Sequence, residues 1–152
     1  MRKIMFVCHG NICRSPMAEF VFKDMLEKAG RQNEFEVESS AVSSEEIWGG
    51  VGNPVYPPVA SLLKSKGIDC SHKRARKIVA SDAEKFDLFV CMDESNLRGA
   101  VRILGEQNAR KCVKLMSYLN SSDDVSDPWY TRDFKTCYND ICRGLSAMLE
   151  KM

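Results

Sequence analysis

An uninterrupted apolar run, Ile4-Met5-Phe6-Val7-Cys8, breaks off at the stretch Cys-His-Gly-Asn-Ile-Cys-Arg-Ser-Pro, and a helical pattern starts directly behind it. A run without a polar member reads as a strand covered on both faces, the condition of an inner strand in a parallel sheet. Met17, Phe20, Val21 and Met25 then share one helical face, and Gly30 is a stop signal. Strand, short loop and helix in that order leave the chain few folds beyond layered α/β ones.

The rest of the chain repeats the alternation. Leu88-Phe89-Val90-Cys91-Met92 is a second apolar run, and Val113 to Met116 a weaker third. Phe35, Val37, Ser39 and Ala41 alternate with polar or small residues, which suits an edge strand. Helical patterns lie between: Val59 to Lys66 ended by Gly67, then Leu97, Val101 and Leu104 ended by Gly105. A C-terminal helix carries the stripe Phe134, Tyr138, Ile141, Leu145 and Leu149. The expected fold is α/β: one domain over 1–152, with a four-stranded parallel sheet and helices on both faces. In such sheets ligands bind beyond the C-terminal strand ends. The first strand ends at Cys8.

Bulk properties narrow the function. A formal net charge of +1 supplies no general attraction to nucleic acid or membrane. No apolar run is long enough for a signal-peptide core or a transmembrane helix. Seven cysteines is an odd number, and without an export signal they read as free thiols in a reducing cytosol. His9 and His72 are the only histidines, no Cys-x-x-Cys pair exists, and Cys8/Cys13 and Cys137/Cys142 are poorly spaced for zinc. Neither a metal nor another cofactor is expected. Lys64, Lys66, Lys73, Arg74, Arg76 and Lys77 form the main charge asymmetry, either a solvated face or an attractor of acidic phosphopeptides.

The loop from Cys8 to Ser15 carries the chemistry. Ser15 suits an N-cap and Pro16 the first helical position, so the loop is expected to empty into a helix N-terminus that favours an anion. Gly10 and Asn11 tolerate left-handed backbone angles and let successive amides form a concave nest. Cys8 and Arg14 bracket this nest. Arg14 can grip two oxygens of a phosphate with its planar fork, leaving Cys8 beneath the phosphorus to attack as the thiolate. The Ser15 hydroxyl can donate to that sulfur. The competing reading is a buried strand-end cysteine followed by a solvated arginine.

Cleaving a phosphate ester also calls for an acid at the leaving oxygen. Carboxyls are numerous, and spacing does not choose among them. Asp127 is the best candidate because Pro128 stiffens its loop and Trp129 and Tyr130 follow; the alternative is a plain Asp-Pro turn. Trp129, Tyr130, Ile12 and Trp48 are candidate walls of a pocket deep enough for an aryl phosphate, ordinary packing being the alternative for the aromatics. Gly49-Gly50 beside Trp48 reads as a mobile surface loop.

Three stretches together resemble the low-molecular-weight protein tyrosine phosphatase family, and the likeness runs through essentially the whole chain. They are Val7-Cys8 through Ser15-Pro16-Met17-Ala18-Glu19, Cys91-Met92-Asp93-Glu94-Ser95-Asn96, and Asp127-Pro128-Trp129-Tyr130. The resemblance implies a flavodoxin-like fold and hydrolysis of phosphotyrosine in proteins or peptides. It implies Cys8 as nucleophile, Arg14 as transition-state ligand, Asp127 as proton donor, and phosphate or other oxyanions as ligands of residues 8–15. Two features depart from the pattern. Many members carry Asp-Pro-Arg where this chain reads Val55-Tyr56-Pro57-Pro58, and the supporting histidine falls one place off, at His72, where Lys73 holds its expected position. Ser39 is a second candidate support for Asn11.

Rival readings use the same residues. Arsenate reduction would need two further relay cysteines, and Cys91 and Cys112 are too far apart. Arginine phosphatases are similar but carry threonine where this chain has Ile12, whose hydrocarbon face suits an aromatic ring. A cysteine phosphocarrier has no need of Arg14 or an acid. A thiol primed for phosphate is also primed for peroxide, and Cys13 in the same curled loop is the expected disulfide partner of Cys8, unless it is simply a packed core residue.

Overall fold

Strand β1 (Arg2–Cys8) lies inside a four-stranded sheet of order β2-β1-β5-β6, every neighbouring pair parallel. The computed structural model describes residues 1–152. Its other sheet members are β2 (Phe35–Ala41), β5 (Leu88–Cys91) and β6 (Cys112–Lys114). Because side chains alternate across a strand, Ile4, Phe6 and Cys8 join one core cluster while Met5 and Val7 join another. The first is closed by α1 (Arg14–Lys28), α2 (Pro57–Ser65) and α6 (Phe134–Glu150), the second by α3 (Asp82–Lys85) and α4 (Glu94–Leu104). Helices thus cover both faces, as the alternation predicts. No helix is long and apolar enough to cross a membrane.

Several local expectations need correction. Helix α1 begins at Arg14, with Cys13 at the cap position and no side-chain cap. Ser15 lies inside the helix because its hydroxyl is engaged with Cys8 and Asn11 instead. The third apolar run is a strand only to Lys114; Leu115–Leu119 turns into a 3₁₀ helix that drives Leu115 and Met116 into the core. A Cβ at Gly144 would lie 2.7 Å from Leu115 Cγ, so α6 reaches this turn only with glycine there. The buried face of α6 is Cys137, Ile141, Gly144, Leu145 and Met148, rotated from the expected stripe. Trp48 and Gly49-Gly50 belong to a hairpin, β3 (Ile47–Trp48) against β4 (Val51–Gly52). Both turn glycines have positive φ, 57° and 79°, as a two-residue type I′ turn requires. The helix α5 (Pro128–Thr131) completes the order.

Candidate active site

The C-terminal end of β1 delivers Cys8 to the floor of a cleft, 3% exposed. Its Sγ accepts from the Asn11 N–H at 3.3 Å and lies 3.0 Å from Ser15 Oγ. Ser15 Oγ already accepts from Asn11 Nδ2 at 2.8 Å, so its single hydrogen is free for the sulfur; the other acceptor in reach, Ser40 O, is farther at 3.4 Å. Of Gly10 and Asn11, only Asn11 adopts a left-handed φ, 62°. Gly10 matters for space instead, since a Cβ there would crowd Glu46 Cγ at 3.2 Å. The N–H groups of Gly10, Ile12 and Cys13 have no acceptor within the protein. They are available to an anion, as is the α1 N-terminus.

Every polar atom of the Asn11 side chain is held. Nδ2 donates to Ser15 and, at 2.9 Å, to Ser39 Oγ, and Oδ1 accepts from Arg76 N at 3.0 Å. Ser39 Oγ in turn donates to Glu19 at 2.6 Å. Lys73 Nζ donates to Ser39 O at 2.9 Å and lies 3.5 Å from Glu19. Burial lowers the Lys73 pKa against the pull of Glu19. His72 does not take part: it is exposed, with its ring edge-on to Phe20 at 5.4 Å. Lys73, not His72, is the residue of this segment that reaches the Ser39–Glu19 pair. This also breaks up the expected basic face. Lys73 turns inward, and Arg76 is spent on Asp82 at 3.1 Å and Glu38 at 3.8 Å.

Arg14 is 3% exposed and held from far along the chain. Nη1 donates to Asp93 Oδ2 and to Val125 O, both at 2.8 Å, and Nη2 faces Asp127 Oδ2 at 3.5 Å. Burial disfavours its charge, but Cys8, Asp93 and Asp127 outweigh that and raise its pKa. Asp93 was not singled out from sequence. It is the N-cap of α4, accepting from Asn96 N at 2.7 Å, and an aspartate at a strand end before a helix was the available signal. Asp127 Oδ1 caps α5, accepting from Trp129 N at 3.0 Å, while Oδ2 faces Arg14 Nη2 at 3.5 Å.

Ile12, Trp129 and Tyr130 line the cleft, with Glu45 and Glu46 at its rim. His9 Nε2 pairs with Glu45 at 3.0 Å. Trp48 is not among the lining residues; the hairpin turns its ring to solvent, 73% exposed. Cys13, within the loop, and Cys137, on α6, are both buried. Burial first, then the nearby Cys8 and Asp127, pushes the Cys13 thiol up. Burial pushes Cys137 up to about 12. No group of three or more His, Cys, Asp or Glu side chains is placed to hold a metal ion.

The comparisons bear on this cleft. Residues 3–152 match the model of the low molecular weight phosphotyrosine protein phosphatases. The low molecular weight protein-tyrosine-phosphatase YfkJ of Bacillus subtilis is 33% identical, over 99% of this chain and 97% of that one. Its crystal structure superposes with a TM-score of 0.92, covering 99% and 94% of the two chains at 32% identity. The human low molecular weight phosphotyrosine protein phosphatase is 38% identical over 99% and 95%. YwlE, an arginine phosphatase from B. subtilis seen with a phosphorylated active site serine, is more distant: 25% identical, TM-score 0.85, 98% and 94% covered.

Proposed function

This chain belongs to the low molecular weight phosphotyrosine protein phosphatase family, and on that premise we propose that it hydrolyses phosphotyrosine through a phosphorylated Cys8. The observation that carries the reading is the Cys8 sulfur in the cleft, in contact with Ser15 and Asn11, with Arg14 and Asp127 meeting beside it. The phosphate would lie on the free N–H groups of residues 8–15, two of its oxygens on the Arg14 fork. The Cys8 thiolate attacks phosphorus while the P–O bond to the aryl group breaks, and Asp127 gives its proton to the departing oxygen. Asp127, now a carboxylate, takes a proton from the water that attacks the cysteinyl phosphate. The P–S bond breaks with its electron pair on sulfur, and inorganic phosphate leaves.

Ile12, Trp129 and Tyr130 supply apolar surface of the kind an aryl ring packs against. Ile12 has only hydrocarbon to offer, which favours phosphotyrosine over phosphoarginine as substrate. We also assign Cys13 as the redox partner of Cys8: peroxide converts the Cys8 thiolate to a sulfenic acid, and condensation with the Cys13 thiol gives a disulfide and water. Because burial holds Cys13 protonated, this closure requires the loop to open first.

The deciding experiment compares Cys8→Ser and Asp127→Asn. Cys8→Ser should retain less than roughly 1% of the turnover while still binding inorganic phosphate. Asp127→Asn should slow phenyl phosphate far more than p-nitrophenyl phosphate, whose leaving group needs no proton. Retained turnover in the first, or equal losses in the second, removes the corresponding residue from the mechanism.

A further inference from the structure

Tyr56 has no part in the chemistry above, yet it touches both halves of the site. Its N–H donates to Ile12 O at 2.9 Å, docking its backbone on the phosphate loop. Its carbonyl accepts from Val59 and Ala60, the opening turn of α2. Its ring meets Trp129 with centroids 5.0 Å apart and Phe134 at 6.0 Å. Its hydroxyl accepts from Arg132 Nη2 at 3.0 Å, and the same guanidinium stacks 5.4 Å from the Tyr56 ring and 5.2 Å from that of Phe134.

Two of these partners, Trp129 and Arg132, flank the short helix that Asp127 caps. Helix α5 has four residues and closes too few bonds to hold itself. Its far end is Arg132, in the left-handed conformation at φ 59°, which a non-glycine residue keeps only when its surroundings favour it. One side chain, anchored on the loop that carries Cys8, thus engages Trp129 near the start of α5 and Arg132 at its end. It does so at the place where this sequence departs from the Asp-Pro-Arg pattern.

We propose that Tyr56 is a positioning residue that sets the Asp127–Arg132 segment over Cys8, so that Asp127 delivers its proton to the leaving oxygen. The inference rests on Asp127 being the proton donor. It assigns the work mainly to the ring, which makes three of the contacts, and less to the hydroxyl, which makes one with an exposed arginine.

The test is kcat/KM for phenyl phosphate and p-nitrophenyl phosphate in Tyr56→Ala, Tyr56→Phe, Asp127→Asn and the double variant Tyr56→Ala/Asp127→Asn. Tyr56→Ala should lose about tenfold on phenyl phosphate, a fraction of what a general acid supplies, and less than about twofold on p-nitrophenyl phosphate. Tyr56→Phe should recover most of the loss. In the Asp127→Asn background Tyr56→Ala should change the ratio of the two substrates no further, because the proton it helps deliver is already gone. Equal losses on both substrates, or a further change of ratio in the double variant, overturns the role of Tyr56 alone. If Asp127→Asn itself leaves the ratio unchanged, the proton-donor reading falls and takes this inference with it. Should Tyr56→Ala fail to fold, Tyr56→Leu carries the same comparison, because it keeps apolar bulk and removes the aromatic stack.

Discussion

Ser15→Ala offers the sharpest view of the two chemical steps. In the wild type, the Ser15 hydrogen has one good acceptor, Cys8 Sγ at 3.0 Å, because Asn11 Nδ2 already fills the oxygen's acceptor side at 2.8 Å. A hydrogen bond to a charged group is worth about 1.5–3 kcal/mol. Sulfur carries full charge again only as the P–S bond breaks, so the loss falls on hydrolysis of the cysteinyl phosphate. At about 1.36 kcal/mol per tenfold, that step should slow roughly 10- to 150-fold. Asn11 keeps Ser39 and Arg76 as partners, so the loop should hold its shape. Stopped-flow hydrolysis of p-nitrophenyl phosphate reads the outcome directly. Ser15→Ala should release one equivalent of nitrophenol per active site in a burst, then turn over slowly. A steady state within twofold of wild type and no enlarged burst would show that the Ser15 hydrogen does not serve the sulfur.

Three further outcomes follow from the packing. Glu19→Gln leaves the buried Lys73 ammonium facing a neutral amide, at a cost of about 3–5 kcal/mol, and should lower the Tm by roughly 6–20 °C in a thermal scan; an unchanged Tm would show that Lys73 sheds its proton instead. Gly144→Ala puts a methyl group 2.7 Å from Leu115 Cγ and should destabilise by about 1–3 kcal/mol, read as a shifted urea midpoint with unchanged slope; a midpoint equal to wild type would mean that α6 slides freely on the 3₁₀ turn. Cys137 binds its proton more tightly in the folded chain, near 12 against the ordinary 9.0 of a thiol, so its contribution is intact below about pH 9 and is lost as pH climbs toward 12. The fall of Tm between those limits should be shallower in Cys137→Ala, and an identical slope in both proteins would refute this.

The parallel sheet and the position of the loop were readable because they rest on local signals: unbroken apolar runs, helical faces, and glycine stops at Gly30, Gly67 and Gly105, all of which have positive φ. Errors arose where one residue type serves two purposes. Ser15 has the profile of a helix cap, and that same small hydroxyl is what Cys8 engages. In α6 the true inner face contains Cys137 and Gly144, whose small side chains give a weak apolar signal beside Phe134 and Tyr138. The Gly49-Gly50 pair did carry a hairpin signal, masked by the shortness of its strands. Of the shell around the site, only Ser39 was expected, as a support for Asn11. Glu19, Ser39 and Lys73 meet across three elements, and no periodicity links a helix, a strand and a loop that join only when the chain folds.

The three acceptors around Arg14 also set a clock. They lie 79, 111 and 113 positions further along the chain. A ribosome adding roughly 5–20 residues per second takes on the order of 10 s to travel from Arg14 to Asp127. Until Asp93 is made the guanidinium has no carboxylate to face, and until Val125 no carbonyl, and enclosing it alone would be prohibitively costly. The nascent chain must therefore keep its N-terminal layer open and hydrated until the last third arrives. The partners that hold Arg14 beside the reactive sulfur are complete only at that moment, so that a fragment stalled before Val125 carries the thiol with its arginine unsecured.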